Sequence, residues 1–292
     1  MENLSNISVV REIMERFGFS FSKSLGQNFL VNPTVCPRIA EQGGAAAEKG
    51  VLEIGAGFGV LTHELAKRAG KVVVVELDGR LLPVLQYTLS EHKNVSVVQG
   101  DVLKLDLRAL LEREFGGMET VVCANLPYYI TSPVIMTLLE QRLPVSAITV
   151  MVQKEAAERL CAPMPSRACG AVTAAVRYYS DPKALFPVSR GSFMPAPNVD
   201  SAVIRLDVKK TGSLTEKEEQ LLFKLVRGGF SQRRKTLANA LFSAASVPKA
   251  LAADALQAVG LKASVRAEGL SLVDWMALAC FLQQAGVLPG SI

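Results

Sequence analysis

Three apolar segments of the sequence each end in residues that could bind a nucleoside. The first ends in a glycine-rich loop, Glu53–Gly59 (Glu-Ile-Gly-Ala-Gly-Phe-Gly), where the missing Cβ atoms let the backbone contact a ligand. The second ends at Glu76, 21 residues after Gly55, where an acid can bind a ribose diol. The third ends at Asp101, whose carboxylate can accept a hydrogen bond from an adenine amine. The glycine loop is a weak signal alone, but the three features together favour an adenosine-type ligand.

A fourth apolar segment ends in Asn125-Leu126-Pro-Tyr128, a combination suited to chemistry on an amine. An adenine N6 amine is a poor nucleophile because its lone pair is delocalised into the ring. The side-chain carbonyl of Asn125 and the backbone carbonyl of Leu126 could accept its hydrogen bonds and aim the lone pair at a methyl donor. The ring of Tyr128 could stack on a base flipped out of its duplex. A plain β-turn is the alternative, but the position at a strand end favours a methyltransferase over a dehydrogenase.

The segments that carry these residues have the pattern of strands in a parallel sheet. They are short and rich in Val and Ile, and several are apolar at every position, as expected of strands buried on both faces. The predicted strands are Val51–Ile54, Val72–Glu76, Val95–Val98, Val121–Ala124 and Ile148–Val152. Helical patterns lie between them, and Ser132 followed by Pro133 predicts a helix start. This alternation predicts an α/β fold with a doubly wound, Rossmann-like sheet.

The pattern changes toward the C-terminus. Residues 183–208 are β-like but interrupted by prolines, and the chain after residue 212 is helical. The predicted helices are Leu214–Gly228, Gln232–Ala245, Pro248–Val259 and Ser271–Ala285. Thr215 and Glu218 have the spacing of a capping box at the start of the first. The sequence therefore predicts two domains, a Rossmann-like domain at residues 1–208 and a small helical domain at residues 209–292.

The net charge of +5 comes entirely from the C-terminal part of the 292-residue chain. Residues 1–204 contain 20 basic and 20 acidic side chains, whereas residues 205–292 contain 12 and 7. The excess is densest at Arg227 and in the run Arg233-Arg234-Lys235. These side chains could bind the phosphates of a polyanion or form an ordinary solvated face, and the charge alone does not separate the two.

Composition excludes several other classes of protein. With 49% hydrophobic residues the chain is neither disordered nor fibrous, and its apolar stretches are far shorter than the roughly 20 residues that cross a bilayer. Two histidines and five unclustered cysteines offer almost no ligands for a metal, so we expect no metal and no membrane association. The cysteines include no Cys-x-x-Cys pair, and the charged N-terminus has no apolar signal segment. Both features predict free thiols and a cytoplasmic location.

Motifs along most of the chain resemble those of one known family. From about Lys23 to Ala279, the sequence is similar to the KsgA/RsmA family of small-subunit ribosomal RNA adenine N6,N6-dimethyltransferases. The similar segments are Lys23–Leu30, the Glu53–Gly59 loop, Gly100-Asp101, Asn125–Pro133, Met151–Glu155, Phe193–Ser201, Phe230–Asn239 and Arg266–Leu272. Residues 163–171 depart from the family's usual loop, with Cys169 where a tyrosine is expected.

The resemblance implies a cofactor and a reaction. It implies a class I methyltransferase domain that uses S-adenosylmethionine, without a metal, to dimethylate the N6 amines of two adjacent adenosines. These adenosines would lie in a hairpin near the 3′ end of 16S rRNA, in the course of small-subunit biogenesis. The expected partner is the rRNA of an immature 30S subunit, and the protein is expected to act as a monomer. Its C-terminal helical domain would bind RNA.

The resemblance also implies roles for individual residues. The implied cofactor residues are Asn28 and Leu30 at the methionine end, Gly55 at the cofactor backbone, Glu76 at the ribose, Asp101 at the adenine amine and Asn125 shared with the target. Phe193 would stack on the target adenine on the face opposite Tyr128. Residue types alone would not assign these roles, since Asn28 belongs to a polar loop and an aromatic residue such as Phe193 is usually core.

Other functions remain compatible with parts of the sequence. Related large-subunit rRNA adenine methyltransferases are similar through Asn125–Tyr128, but they lack the Gln-Arg-Arg-Lys-Thr-Leu segment found here at residues 232–237. DNA adenine methyltransferases more often carry proline where Leu126 stands. A ribosome-assembly factor could bind through the basic helical domain without needing an intact cofactor pocket, and the two roles can coexist.

Overall fold

The computed structural model describes residues 4–22, 26–210 and 214–288. They divide into two compact units. The first unit is the chain up to Ala157 together with Asp181–Val208, and it contains the β-sheets. The second is Glu158–Ser180 with the residues from Lys209 onward, and it is helical.

The described residues form nine strands and twelve α-helices, numbered here in chain order, besides three short 3₁₀ helices. The strands are β1 (Phe29–Leu30), β2 (Gly50–Ile54), β3 (Lys71–Glu76), β4 (Val95–Gln99), β5 (Thr120–Asn125), β6 (Val145–Gln153), β7 (Ser180–Val188), β8 (Phe193–Met194) and β9 (Ser201–Val208). The helices are α1 (Ile7–Arg16), α2 (Val35–Gln42), α3 (Val60–Ala66), α4 (Leu82–Thr88), α5 (Leu107–Phe115), α6 (Thr131–Glu140), α7 (Lys154–Leu160), α8 (Ala171–Tyr179), α9 (Glu216–Ser231), α10 (Leu237–Ala245), α11 (Lys249–Ala258) and α12 (Leu272–Gln284).

Seven strands form one mixed sheet in the order β4-β3-β2-β5-β6-β9-β7. Neighbours from β4 to β6 pair in parallel, and β9 pairs antiparallel with β6. The central strands β2, β3 and β5 are buried along nearly their whole length, which agrees with their uninterrupted apolar sequences. The five predicted strands and the doubly wound α/β fold are confirmed. Pro187 lies in β7 at the sheet edge, where a missing N–H donor does not interrupt the ladder.

A separate two-stranded ribbon joins the N-terminal segment to a distant loop. β1 pairs antiparallel with β8, so that Phe29 lies opposite Met194 and Leu30 opposite Phe193. The ring of Phe29 stacks on that of Phe58 in the glycine-rich loop, with centroids 4.2 Å apart and planes at 12°. The N-terminal segment therefore packs directly against the loop after β2.

The helical unit contains the four predicted C-terminal helices, with one boundary moved. The capping box is confirmed, since the Thr215 N–H donates to Glu218 Oε2 at 2.8 Å and the Glu218 N–H donates to Thr215 Oγ1 at 3.4 Å. The predicted helix start at Gln232 is wrong. Because Thr236 is extended and serves as the N-cap of α10, residues 232–235 form a turn between α9 and α10.

Two further boundaries differ from the sequence-based expectation. Ser132 is not an N-cap: α6 begins at Thr131, whose hydroxyl donates to the Pro127 carbonyl at 3.2 Å. Residues 158–180 were expected in the first domain but belong to the helical unit. The reason is packing, because Tyr179 at the end of α8 stacks on Phe223 of α9 with ring centroids 5.5 Å apart.

In the described parts of the chain, no helix is both long and apolar enough to cross a membrane.

Candidate active site

The first unit contains a cavity, open to solvent, at the carboxyl ends of the central strands. Every residue that the sequence analysis proposed for cofactor binding or catalysis lines it. They are Asn28, Leu30, Gly55, Glu76, Asp101, Asn125, Leu126, Tyr128 and Phe193. Parallel strands place their C-terminal ends along one edge of a sheet, which brings together residues that are far apart in sequence.

The glycine-rich loop has a conformation that side chains would strain or block. Gly55 and Gly57 have φ angles of +74° and +60°. A Cβ on Gly57 would lie 2.7 Å from the Phe29 ring, so this glycine is needed for packing. A Cβ on Gly55 would have no neighbour nearer than 3.9 Å, although this residue lines the cavity. The space beside the Gly55 backbone is therefore open, and a ligand in the cavity can contact the backbone there.

Glu76 ends β3 and is held by two backbone groups. The N–H of Gly57 donates to its Oε2 at 3.2 Å, and the N–H of Asp78 donates to its Oε1 at 2.9 Å. Burial raises the pKa of this carboxyl, and the two N–H donors act in the opposite direction. The carboxylate thus both orders the glycine loop and lines the cavity. Asp101 is fixed in a similar way, since its Oδ1 accepts from the Leu103 N–H at 3.0 Å.

The segment after β5 forms a tight turn into α6. The Pro127 carbonyl accepts from the Ile130 N–H at 3.1 Å, which closes the turn. Tyr128 is anchored by a 2.7 Å hydrogen bond between its hydroxyl and Ser201 Oγ, and burial raises its pKa. The Asn125 side chain lines the cavity and has no hydrogen-bond partner among the described residues. Its amide is therefore available to a ligand.

The β1–β8 ribbon completes the cavity from the other side. Asn28 precedes β1 and donates from Nδ2 to the Gly26 carbonyl at 3.1 Å. Leu30 is paired with Phe193, and both side chains are buried while lining the cavity. Phe193 therefore fits the expectation of a core aromatic and also has a position from which it can contact a ligand.

One residue of the cavity was not singled out from the sequence. Glu53, in β2, is only 1% exposed, and its Oε2 has no hydrogen-bond partner. Burial, with a smaller contribution from Glu76, raises the pKa of Glu53 to about 8. A single acid inside an apolar strand was the available signal, because a buried carboxyl that lacks a partner is costly and rare.

The proposed RNA-binding residues lie in the second unit. Arg227, Arg233, Arg234 and Lys235 are all exposed. Arg227 is in the last turns of α9, and the other three are in the turn before α10. The second unit consists of Glu158–Ser180 and the residues from Lys209 onward. Together these segments contain 14 Lys and Arg residues and 7 Asp and Glu residues. The basic excess is therefore larger than the sequence boundary at residue 208 indicated.

Comparison with known proteins identifies the family. The chain matches the family described as "Ribosomal RNA adenine dimethylase" over residues 18–284. It belongs to this family. The chain is 44% identical over 281 residues to "Ribosomal RNA small subunit methyltransferase A" of Bacillus pumilus, covering 94% of this chain and 96% of the relative. The protein of the same name from Alkaliphilus oremlandii is 41% identical over 280 residues, covering 96% and 98%.

Solved structures agree with the assignment. A dimethyladenosine transferase from Plasmodium falciparum matches with a TM-score of 0.76 and 27% identity, over 89% of this chain and 99% of that one. The 23S rRNA methyltransferase ErmE matches with a TM-score of 0.69 and 26% identity, over 88% and 100%. The class I methyltransferase fold is confirmed, and family membership makes the chain an rRNA adenine methyltransferase. Among the described residues, no group of three or more His, Cys, Asp or Glu side chains could hold a metal ion.

Proposed function

We propose that this protein uses S-adenosylmethionine to dimethylate the N6 amines of two adjacent adenosines in a hairpin near the 3′ end of 16S rRNA. The proposal rests on the side-chain amide of Asn125, which has no hydrogen-bond partner among the described residues. It lines the same cavity as Gly55, Glu76 and Asp101. The curated relatives, at 41–45% identity, are named as small-subunit enzymes. The substrate is then the rRNA of an immature 30S subunit, with the protein acting as a monomer in the cytoplasm.

The lining of the cavity fits the methyl donor. Open space at Gly55 allows the backbone to approach the ligand, and Glu76 and Asp101 follow successive strands where a ribose and an adenine amine can be bound. Asn28 and Leu30 would hold the methionine end from β1 and the segment before it. When bound, S-adenosylmethionine supplies an electrophilic methyl group.

The chain's own residues then position the target amine. The Asn125 side-chain oxygen and the Leu126 carbonyl accept its two N–H groups, so that the nitrogen lone pair is directed away from the ring plane. Tyr128 is oriented by Ser201 and stacks on one face of the adenine, with Phe193 on the other. Flipping a base out of an RNA helix costs the free energy of its stacking there. Stacking between the two aromatic rings offsets part of that cost.

Proton transfer needs no histidine in this arrangement. His63 and His92 hydrogen-bond to each other at 2.6 Å, and neither lines the cavity. The amine is acidic after it has gained a methyl group, so its proton can leave to water. Positioning, more than acid–base catalysis, therefore determines the rate.

The main alternative is a large-subunit adenine methyltransferase, favoured by the structural match to the 23S rRNA enzyme ErmE. It is less well supported, because the relatives at 41–45% identity over most of the chain are named for the small subunit. A direct test is mass spectrometry of 16S and 23S rRNA from cells with and without this protein. Loss of dimethyladenosine from 16S rRNA alone is expected, and its loss from 23S rRNA would support the alternative.

The ribose-binding role predicts that Glu76→Ala weakens S-adenosylmethionine binding. Losing the acceptor leaves ribose hydroxyls unpaired and releases the Gly57 N–H, at a cost of about 1–3 kcal/mol, or roughly 5- to 150-fold in Kd. Isothermal calorimetry measures the effect, and circular dichroism checks folding. Glu112→Ala, which removes an exposed acid from α5, is the matched control and should bind normally. Unchanged affinity in a folded Glu76→Ala protein would contradict the assignment.

A further inference from the structure

Tyr129 is an exposed aromatic residue at the edge of the cavity. It is 59% exposed, and it lines the cavity together with its neighbour Tyr128. In the described part of the chain, the one other exposed aromatic side chain is Phe242, which lies in the helical unit and does not line the cavity. Of these two exposed rings, Tyr129 is therefore the one that a molecule entering the cavity contacts.

The turn after β5 gives its two tyrosines different environments. Tyr128 and Tyr129 are its central residues, because the turn is closed by the hydrogen bond between the Ile130 N–H and the Pro127 carbonyl. Tyr128 is half-buried, and its hydroxyl is 2.7 Å from Ser201 Oγ. The Tyr129 hydroxyl has no hydrogen-bond partner among the described residues, and its ring stacks on no other described ring. The polar group and the ring face of Tyr129 are therefore both available to a ligand.

The position of the Tyr129 ring is set by a glycine in the segment before β1. A Cβ on Gly26 would lie 3.3 Å from ring atom Cε1 and 3.4 Å from Cδ1, so the ring is packed against the Gly26 backbone. Gly26 also has a φ of +58°, a conformation that suits glycine, and it lines the cavity. One edge of the ring is thus held by the protein, while most of its surface remains exposed.

Two rings on consecutive residues are suited to two bases joined by one phosphate. The proposed function places the target adenine between Tyr128 and Phe193, and a base flipped into such a site leaves its neighbour without a stacking partner on one face. An exposed aromatic ring replaces that partner. Stacking of one base on an aromatic side chain changes affinity by about 5- to 150-fold.

We propose that Tyr129 is a specificity-determining residue that stacks on the base next to the target adenine. The site then holds two neighbouring bases at once, the target inside the cavity and its neighbour at the edge. The inference rests on the proposed dimethylation of two adjacent adenosines. In that substrate the neighbour of each target is the other adenosine, a purine with a large face for stacking, so Tyr129 favours a target that has a purine beside it.

The proposal is tested with small subunits reconstituted from 16S rRNA in which one of the two adenosines is replaced, each in turn. The replacement is either purine riboside, which stacks but has no N6 amine, or an abasic nucleotide. For the wild type, the abasic neighbour should lower kcat/KM for methylation of the remaining adenosine by at least about 5-fold in one of the two arrangements. In Tyr129→Ala this ratio should fall to 1, and Tyr129→Phe, which keeps the ring, should retain it.

Two controls separate stacking from other roles of the side chain. Phe242→Ala removes the exposed ring of the helical unit and should keep the wild-type ratio. Tyr129→Ala should bind S-adenosylmethionine with unchanged affinity in calorimetry, and weakened binding would assign the ring to the cofactor instead. A wild type indifferent to the neighbouring base, or a ratio that persists in Tyr129→Ala, would overturn the proposal. No methylation of unmodified small subunits would count against the proposed function itself.

Discussion

Replacing Asn125 with alanine is expected to lower kcat for adenine methylation by about 10²-fold or more, with RNA affinity nearly unchanged. The side chain lies at the end of β5, lines the cavity and has no partner among the described residues. Its carbonyl oxygen is needed mainly in the transition state, when the amine becomes pyramidal. Its loss therefore affects the rate more than binding. A single-turnover time course on immature small subunits, resolving mono- and dimethyladenosine, measures the effect.

The same time course contains an internal comparison. After the first methyl transfer the amine has only one N–H left to donate, so Asn125→Ala should change the two transfer rates by different factors. Ser132→Ala, an exposed change on the adjacent helix α6, is the control and should methylate normally. Wild-type rates from Asn125→Ala would refute the positioning mechanism.

The second large effect concerns stability and Glu53. Because burial raises the pKa of Glu53 to about 8, the folded protein retains a proton there that the unfolded chain, with an ordinary Glu pKa near 4.3, has released. This stabilisation is fully present below the unfolded pKa and is lost as the pH rises through the folded pKa. Between about pH 5 and pH 8 the free energy of unfolding should therefore fall by about 1.4 kcal/mol per pH unit from this group alone.

Glu53→Gln isolates that contribution, because glutamine has the same shape and does not titrate. Groups with shifted pKa values that do not interact with Glu53, such as His63, affect both proteins equally. The difference in unfolding free energy between wild type and variant, from urea denaturation at a series of pH values, should decrease from pH 5 to pH 8. Parallel curves would show that Glu53 is already ionised at neutral pH.

The sequence by itself determined the sheet and the acids at its edge. Runs such as Val72–Val75 are apolar at every position, as strands buried on both faces require, and parallel strands must present their C-terminal ends together. Gly55, Glu76, Asp101 and Asn125 could therefore be placed at one site before any contact was known. These are local patterns combined with one rule of topology.

The contributions of Asn28, Leu30 and Phe193 could not be derived in that way. Their place in the cavity depends on the pairing of Leu30 with Phe193 in the β1–β8 ribbon, and two residues in each strand are too few to leave a periodic signal. A resemblance to a family suggested these residues, whereas hydrophobicity alone assigned Phe193 to the core. The structure shows that it is buried and also faces the cavity.

Only the tertiary structure decided the partners of charged groups. In the sequence, Arg233, Arg234 and Lys235 are equivalent members of one basic run, yet Arg233 is bound by Glu268 and by the Arg167 carbonyl. In the same way, the sequence showed only that Glu53 is an acid within an apolar strand. Its burial, and therefore its raised pKa, became known only from the structure. Charge and residue type are local properties that can be read from the sequence. Desolvation and ion pairing depend on which distant segments fold against a side chain. Desolvation and pairing together set the pKa of the side chain and the ligands that it can bind.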